Sequence, residues 1–518
     1  MKQLFRNHWL TTSQIMYLKN RKILITPMRP ERVFLIACIV FLRSCCLTVI
    51  ISSGGKRMAL EKFLKERIDD AKTLVDLLGK KYEYVSVLGS YMRTKRILSS
   101  TRMTSVDESE GECGFVIRMF DGTHYSEYST NEIRGLDPQT VIDAVSLPEL
   151  KQDFVKAGSL NEEEMVKSFE RVDANPLDDQ DVLKRLEEIR SFCEKADERI
   201  INANVVYNKR HVSKIFVSPK KTLDQNYEWI NAMLMLVARE GETIKHHYIS
   251  ENEADSVLAI EELSGRKEEA VDLVLRLLHA GPIEPGEYEI ITDPTISGLI
   301  CHEAFGHGVE QDMVVKHRAK SAEYVNKQVG STLLNMHDGA AAALSAASYF
   351  FDDDGILAED THIIENGILR RGISDALSAL ELGQKPSGNG RRESYKRKSY
   401  TRMTNTFFSP GNDKLEDMIA SVKHGYYLFN TDNGMEDPKN WQIQCTAEYG
   451  LEIKDGQFTG KIVAPVVISG FVLDLLNSVS MVSDQFKVIG SGMCGKGYKE
   501  WVFVSDGGPH MKARAKLG

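Results

Sequence analysis

The 518-residue chain is long enough for two or three domains with sizeable cores, and its 42% apolar and 27% charged content is ordinary for a globular protein. The net charge of −9 conceals a basic beginning: residues 1–57 hold ten Lys or Arg against one acid, Glu31, leaving 55 basic and 73 acidic residues beyond. An acidic body excludes bulk nucleic-acid binding, whose electrostatic footprint is basic, so no nucleic-acid partner is expected.

Residues 33–51 are mostly apolar and follow a basic segment, the pattern of a signal anchor. Arg43 falls mid-span, however, where an arginine costs about 2.5–3.5 kcal/mol on insertion scales. From Met58 the sequence opens at once into an amphipathic helix. The expected start is therefore Met58, with 1–57 set aside as a targeting segment or mis-assigned start and a cytoplasmic protein expected. Beyond a helix near 59–80, strand patterns occupy Tyr82–Val87, Cys113–Phe120 and Tyr125–Tyr128, around a turn at Asp121-Gly122. Helical patterns follow near 138–157 and 161–199, then strands at Val205–Val217 and Thr243–Ser250, then a long helix over Ala254–Ala280. Strands and helices mixed without strict alternation predict an α+β domain rather than a Rossmann type. Gly281-Pro282 and Pro285-Gly286 mark a boundary, giving an N-terminal α/β domain over 58–280 and a second domain over 281–518.

The second domain opens on a helix start: Asp293 as N-cap, Pro294 at the first helical position, and Ile296, Leu299 and Ile300 at helical spacing. This helix carries His302, Glu303 and His307. The zinc-protease pattern H-E-x-x-H sets its histidines four apart, whereas here they are five apart. In a regular α-helix five residues step roughly 140° round the axis, too far to share one ion. Either a π-bulge brings them together, or His307 lies past the helix end with Gly306 supplying the bend, Gly306 and Gly308 both suiting left-handed backbone.

The remainder reads mostly as strands and turns. Asp352-Asp353-Asp354-Gly355 is read as a solvated turn. His362–Leu369 forms a hairpin through Glu365-Asn366-Gly367, Ile462–Ile468 an apolar strand that Pro465 confines to an edge or bulge, and Phe471–Ser480 a short helix. In Ser387–Thr406, SGNGRRESYKRKSYTRMTNT, Arg391, Arg392 and Arg402 are candidates for holding a substrate carboxylate or backbone. Cys494 lies between Gly492 and Gly495 on what reads as a tight loop. The eight cysteines, at 38, 45, 46, 113, 193, 301, 445 and 494, show no paired framework, which fits a reducing compartment. No C-x-x-C accompanies Cys494, against a thiol-redox role.

A catalytic zinc takes three protein ligands and keeps one position open for water. His302 and His307 supply two, and Cys494 is the natural candidate for the third, with Glu310, Asp312 and His337 as rivals nearer in sequence. Glu303, beside the first ligand, then serves as base toward a metal-bound water whose pKa is brought to about 7. That set suits amide hydrolysis. The alternative is a non-catalytic, metal-stabilised peptide-binding or scaffold protein, which has no use for a base beside a ligand.

These residues resemble the TldD/PmbA family of metalloproteases, on its TldD, catalytic side. HEAFGHGVEQD resembles the family's HExxxH motif, SGNGRRESY and RMTNT its central motif, and GMCGK the loop bearing its cysteine ligand. The resemblance covers most of 58–518 and is densest from about residue 280. It implies an N-terminal α/β domain, and a C-terminal twisted antiparallel β-sheet, barrel-like, carrying the HExxxH helix. It also implies one Zn²⁺ per active subunit on His302, His307 and Cys494, Glu303 as base, and unfolded peptides as substrates. The assembly it implies is a homodimer, or a heterodimer with a PmbA/TldE-like homologous subunit lacking the motif, enclosing the active site. Asn433–Trp441 departs from the family, which has a Gly-Gly-containing stretch there.

Overall fold

The first half of the chain is built around one sheet of eight strands. Its strands are β1 Tyr84–Ser100, β2 Thr104–Glu108, β3 Glu112–Phe120, β4 Tyr125–Thr130, β5 Met165–Arg171, β6 Ile200–Val217, β7 Lys221–Glu240 and β8 Thr243–Glu253. They run in the order β4-β3-β1-β6-β7-β5, with β2 on β1 and β8 on β7, all antiparallel except β5 with β7. The computed structural model describes residues 60–109, 111–146, 158–497 and 499–518; the basic segment 1–57 and its apolar run 33–51 lie outside the described residues.

Helices cover this sheet with their apolar stripes. Asp179–Ala196 starts where the Asp178 carboxylate accepts from the Asp181 amide, and Ser256–Gly265 where Asp255 accepts from Leu258. Their Leu186, Ile189, Ile260 and Leu263 pack on Ile230, Leu234 and Leu236 of β7. Each such side chain contributes about 1.5–3 kcal/mol by leaving water. The helix expected over Ala254–Ala280 is in fact two, broken at Arg266 between Ser256–Gly265 and Lys267–Leu277. The helix expected to begin near 161 begins at Asp179; Met165–Arg171 is instead drawn out by parallel pairing with β7.

The second sheet carries β9 Gly286–Thr292, β10 Met336–Asp338, β11 Thr361–Glu365 and β12 Ile368–Leu369. A separate short pair follows, β13 Gly390–Arg391 and β14 Tyr400–Thr401, and the sheet resumes with β15 Asn405–Phe408 and β16 His424–Asp437. Next come β17 Gln442–Lys454, β18 Gln457–Val463, β19 Val466–Phe471, β20 Met481–Lys496 and β21 Lys499–Leu517. The order is β12-β11-β10-β15-β21-β19-β17-β16-β9, and β9 returns to pair with β21, closing a ring of five strands. This barrel-like sheet is antiparallel apart from β9 with β16 and β15 with β21. Pro465 separates β18 from β19, so the apolar run around it is two strands. Asn366 and Gly367, both at positive φ, turn the expected hairpin between β11 and β12.

The two sheets belong to one compact unit, Arg57–Gly518. Polar contacts cross between them: ion pairs from Arg118 Nη2 to Asp354 Oδ1 at 2.8 Å and from Lys214 to Asp353, and a hydrogen bond between His247 Nδ1 and Glu448 at 2.9 Å. The triple-aspartate turn is thus buried rather than solvated. Asp352 accepts from the amides of Asp354, Ile356 and Gly390, and Asp353 from that of Arg392. No helix among the described residues is long and apolar enough to cross a membrane.

Candidate metal centre

The helix bearing the motif starts as its sequence dictates. Pro294 occupies the first turn and Asp293 Oδ1 accepts from the Ile296 amide at 2.8 Å. Gly298 is required by packing, because a Cβ there would stand 2.5 Å from the Gly507 nitrogen of β21. After Cys301 the helix widens into a π-turn over His302–Gly306, with the His307 amide bonded to the His302 carbonyl. Of the two ways to reconcile histidines five apart, the chain therefore takes the π-bulge. Gly306 keeps ordinary right-handed backbone. Its lack of a side chain matters because a Cβ would fall 2.0 Å from Met403 Sδ.

The widened turn brings the two imidazoles to a centroid separation of 5.2 Å, nearly perpendicular. Cys494 arrives from β20, in a strand rather than a loop, paired with Val502. Its Sγ lies 3.2 Å from His302 Nε2 and 3.2 Å from His307 Nε2. Burial alone would push the Cys494 thiol up, but His307 and His302 outweigh it and bring it down to about 4, so the group is a thiolate at neutral pH. Burial likewise opposes charge on His302, yet the thiolate lifts it to about 9; His307 is also raised well above its usual value, with Glu310 adding to the thiolate. Two nitrogens and a thiolate are a zinc donor set. The two sulfur–nitrogen distances are within a few tenths of an ångström of the roughly 3.6 Å that tetrahedral Zn–N and Zn–S bonds span. A zinc-class ion fits these residues.

Behind the cluster stands Arg402, fully buried. Its Nη2 donates to Cys494 Sγ at 3.0 Å and to the Cys494 carbonyl at 2.9 Å, and its Nη1 to the Glu500 carbonyl. Glu310 lies 3.6 Å from His307 Nδ1, on the side away from Cys494, and accepts from Lys496 Nζ at 2.9 Å. Burial would raise its carboxyl, but Lys496, His307 and Arg402 hold it well below the usual range. Asp312 pairs with Lys496 at 2.7 Å. The rival donors are thus elsewhere: Glu310 faces the far nitrogen of His307, Asp312 holds a lysine, and His337 belongs to another cluster.

In front lies Glu303, nearly buried. Strand β16 crosses it so closely that a Cβ on Gly434 would meet Glu303 Cγ at 2.6 Å. Two residues on, both oxygens of Glu436 are buried without a hydrogen-bond partner, as is Trp441 Nε1. A Cβ on Gly308 would be 3.2 Å from each of Glu436 Oε1 and Trp441 Nε1. Burial, then the nearby Glu303 and Glu310, against the pull of His307, lifts the Glu436 carboxyl to about 9. Sequence reasoning passed over Glu436 and the supporting role of Arg402. Only the chain's return past the motif helix reveals them.

Of the candidate substrate arginines, Arg392 pairs with Glu127, and Arg391 donates to the Met403 carbonyl at 2.6 Å. Both line a cavity of about 280 Å³ between the sheets that also reaches Met493, the neighbour of Cys494. The segment they belong to wraps Asp338, whose buried carboxylate accepts from Asn389, Thr404 and Thr406.

Residues 285–515 match the family model described as the PmbA/TldA metallopeptidase C-terminal domain. A metalloprotease of Methanothermobacter thermautotrophicus is 27% identical over 439 residues, 83% of this chain and 94% of that protein. A zinc metalloprotease TldD homolog of Saccharolobus solfataricus is 31% identical over 283 residues, 54% of this chain and 62% of its own length. Over residues 285–515 the chain is similar to the PmbA/TldA metallopeptidases, and along much of its length to TldD-type metalloproteases. Its TldD/PmbA fold is shared with TldE from Thermococcus kodakarensis, at a TM-score of 0.68 and 18% identity, over 87% of this chain and 100% of that one.

Proposed function

We propose that this chain is a zinc-dependent metallopeptidase hydrolysing peptide bonds in unstructured peptides. The observation that carries the proposal is the convergence of His302, His307 and Cys494 with a carboxylate, Glu303, beside the first ligand. The three donors would hold the ion, which supplies Lewis acidity that brings a water proton within reach of a carboxylate at neutral pH. Glu303 takes that proton and returns it to the leaving amine. Arg402 and Glu310 fix the thiolate and the His307 ring.

Strand β16 supports an extended substrate. β9 pairs with it only as far as Leu428, so Thr431–Asp437 bond to β17 along one edge, and Gly434 sets that stretch against Glu303. A peptide added to the other edge gains main-chain hydrogen bonds whatever its sequence. Arg391 and Arg392, on the cavity wall, are proposed to receive the substrate's carboxylates or carbonyls. The names of the curated relatives and the shared fold with TldE support a homodimer, or a heterodimer with a TldE-like subunit.

The test is zinc content together with hydrolysis of an unstructured peptide, for wild type and Glu303→Gln, alone and with any co-purifying homologous subunit. Retained zinc with lost hydrolysis is expected for the variant. Hydrolysis unchanged by Glu303→Gln refutes the base assignment, and bound zinc with no hydrolysis in either protein returns the reading to a metal-stabilised scaffold.

A further inference from the structure

A second cluster of metal-ligating side chains lies on the outer strands of the second sheet: His337, Asp360 and His362. His337 in β10 and His362 in β11 are direct cross-strand partners, just after a register shift at Met336/His337. Asp360 precedes His362 by two residues and so shares its face. The carboxylate sits between the rings, Oδ1 2.8 Å from His337 Nδ1 and Oδ2 3.5 Å from His362 Nε2, with the ring centroids 4.1 Å apart. One donor atom from each residue lies within 4.8 Å of the others.

The cluster is built as well as close. His337 lies flat on Phe407 of the next strand, β15, with centroids 5.3 Å apart and planes 2° from parallel. That contact fixes the imidazole plane from one side while Asp360 holds it at Nδ1. Glu365 Oε1, 3.8 Å from His362 Nδ1, places a further carboxylate at the outer ring. Two imidazoles and one carboxylate form the nitrogen–oxygen donor set that suits zinc, nickel, copper and cobalt, and soft or purely hard ions less.

We propose that His337, Asp360 and His362 bind a second divalent transition-metal ion of the zinc class, at a site separate from the His302–His307–Cys494 centre. Lacking a thiolate and half-exposed at Asp360 and His362, this site exchanges its ion more readily than the buried one. Its occupant also stabilises the edge of the sheet, because binding to the folded state alone raises stability. His337 neighbours Asp338, which anchors the segment carrying Arg402.

Cobalt titration of the metal-free full chain tests this, with bound metal counted by equilibrium dialysis. Two equivalents per chain are expected, and the near-ultraviolet thiolate-to-cobalt band, which reports Cys494, should saturate with only one. His362→Ala and Asp360→Asn should each lose one equivalent and keep that band, and should lose part of the wild-type rise in melting temperature with metal. A wild type that binds one equivalent with the thiolate band present, or bound metal undiminished in both variants, overturns the proposal and leaves Asp360 as a carboxylate merely shared by two histidines. A missing thiolate band counts against Cys494 alone, since the effect of the two variants on stoichiometry still decides the second site.

Discussion

The two walls around Cys494 differ in how their polar groups are matched. On the inner wall, cation meets anion at each step: Arg402 on the thiolate, Lys496 on Glu310 and Asp312, and Arg402 Nε facing Glu310 Oε1 at 3.4 Å. On the outer wall, Glu436 and Trp441 bury polar atoms with neither a hydrogen bond nor an ion-pair partner, whereas the inner wall's Glu310 Oε1 and Arg402 Nε, also outside hydrogen-bond geometry, face each other as opposite charges. An unmatched buried polar atom costs about 1–3 kcal/mol, so native structures keep few of them. The contrast teaches that the inner wall is finished by folding, whereas the outer wall, lined by Glu303 and the open edge of β16, is the one the proposal completes with substrate.

The largest expected effect falls on the outer wall. Glu303→Gln should lower kcat/KM by roughly 10²–10⁴-fold, the usual contribution of a general base, with zinc content unchanged. The inner wall should respond in stability instead. Arg402→Met leaves Glu310 and the thiolate short of a buried cation, and should cost about 3–5 kcal/mol in denaturant unfolding and about 10–100-fold in metal affinity. If Arg402→Met lowers activity while stability and zinc stay put, the two walls are not distinct.

A group outside both walls sets the background for pH. His510, buried on β21 and hydrogen-bonded by the Tyr427 hydroxyl at 2.9 Å, is held down to about 4 by burial. Its folded value lies below the unfolded one, so its contribution is complete above about pH 6.5 and is lost as pH falls toward 4. Roughly 3 kcal/mol should disappear across that window, and His510→Asn should flatten the slope in denaturant midpoints between pH 7 and 4.5. The smallest effect is expected for Glu436→Gln, which removes an unpartnered carboxyl. Its melting temperature should hold or rise, by the equivalent of about 1 kcal/mol, while KM for peptide changes. A lowered melting temperature would show Glu436 to be matched after all and would erase the contrast.

Much of the inner frame was legible in the sequence, because its signals are local. Asp293-Pro294 and the apolar spacing behind it gave the helix, and Asn366-Gly367 gave the hairpin. The five-residue histidine step limited the geometry to two options. Choosing between them needed the fold, in which Cys494, nearly two hundred residues onward, meets both imidazoles across the widened turn. The triple aspartate was misread for the same reason: Arg118 and Lys214, which make it a buried knot, come from the other sheet. β5 was misread as helix because its Glu and Lys content suits one, and pairing with β7 overrides that propensity. β7 itself, flanked by β6 and β8, drew no local signal, since its polar and apolar residues mix along much of its length.

The ring of five strands is closed by β9, which leads into the motif helix, lying against β21, the final strand of the chain. The sulfur donor sits on the hairpin that this same last strand completes. A nascent polypeptide therefore carries both histidines and the carboxylate long before it owns a finished centre. Under the proposed activity, a molecule cut short before β21 is inert, because it lacks the strand that holds both the sulfur donor's hairpin and the ring in place.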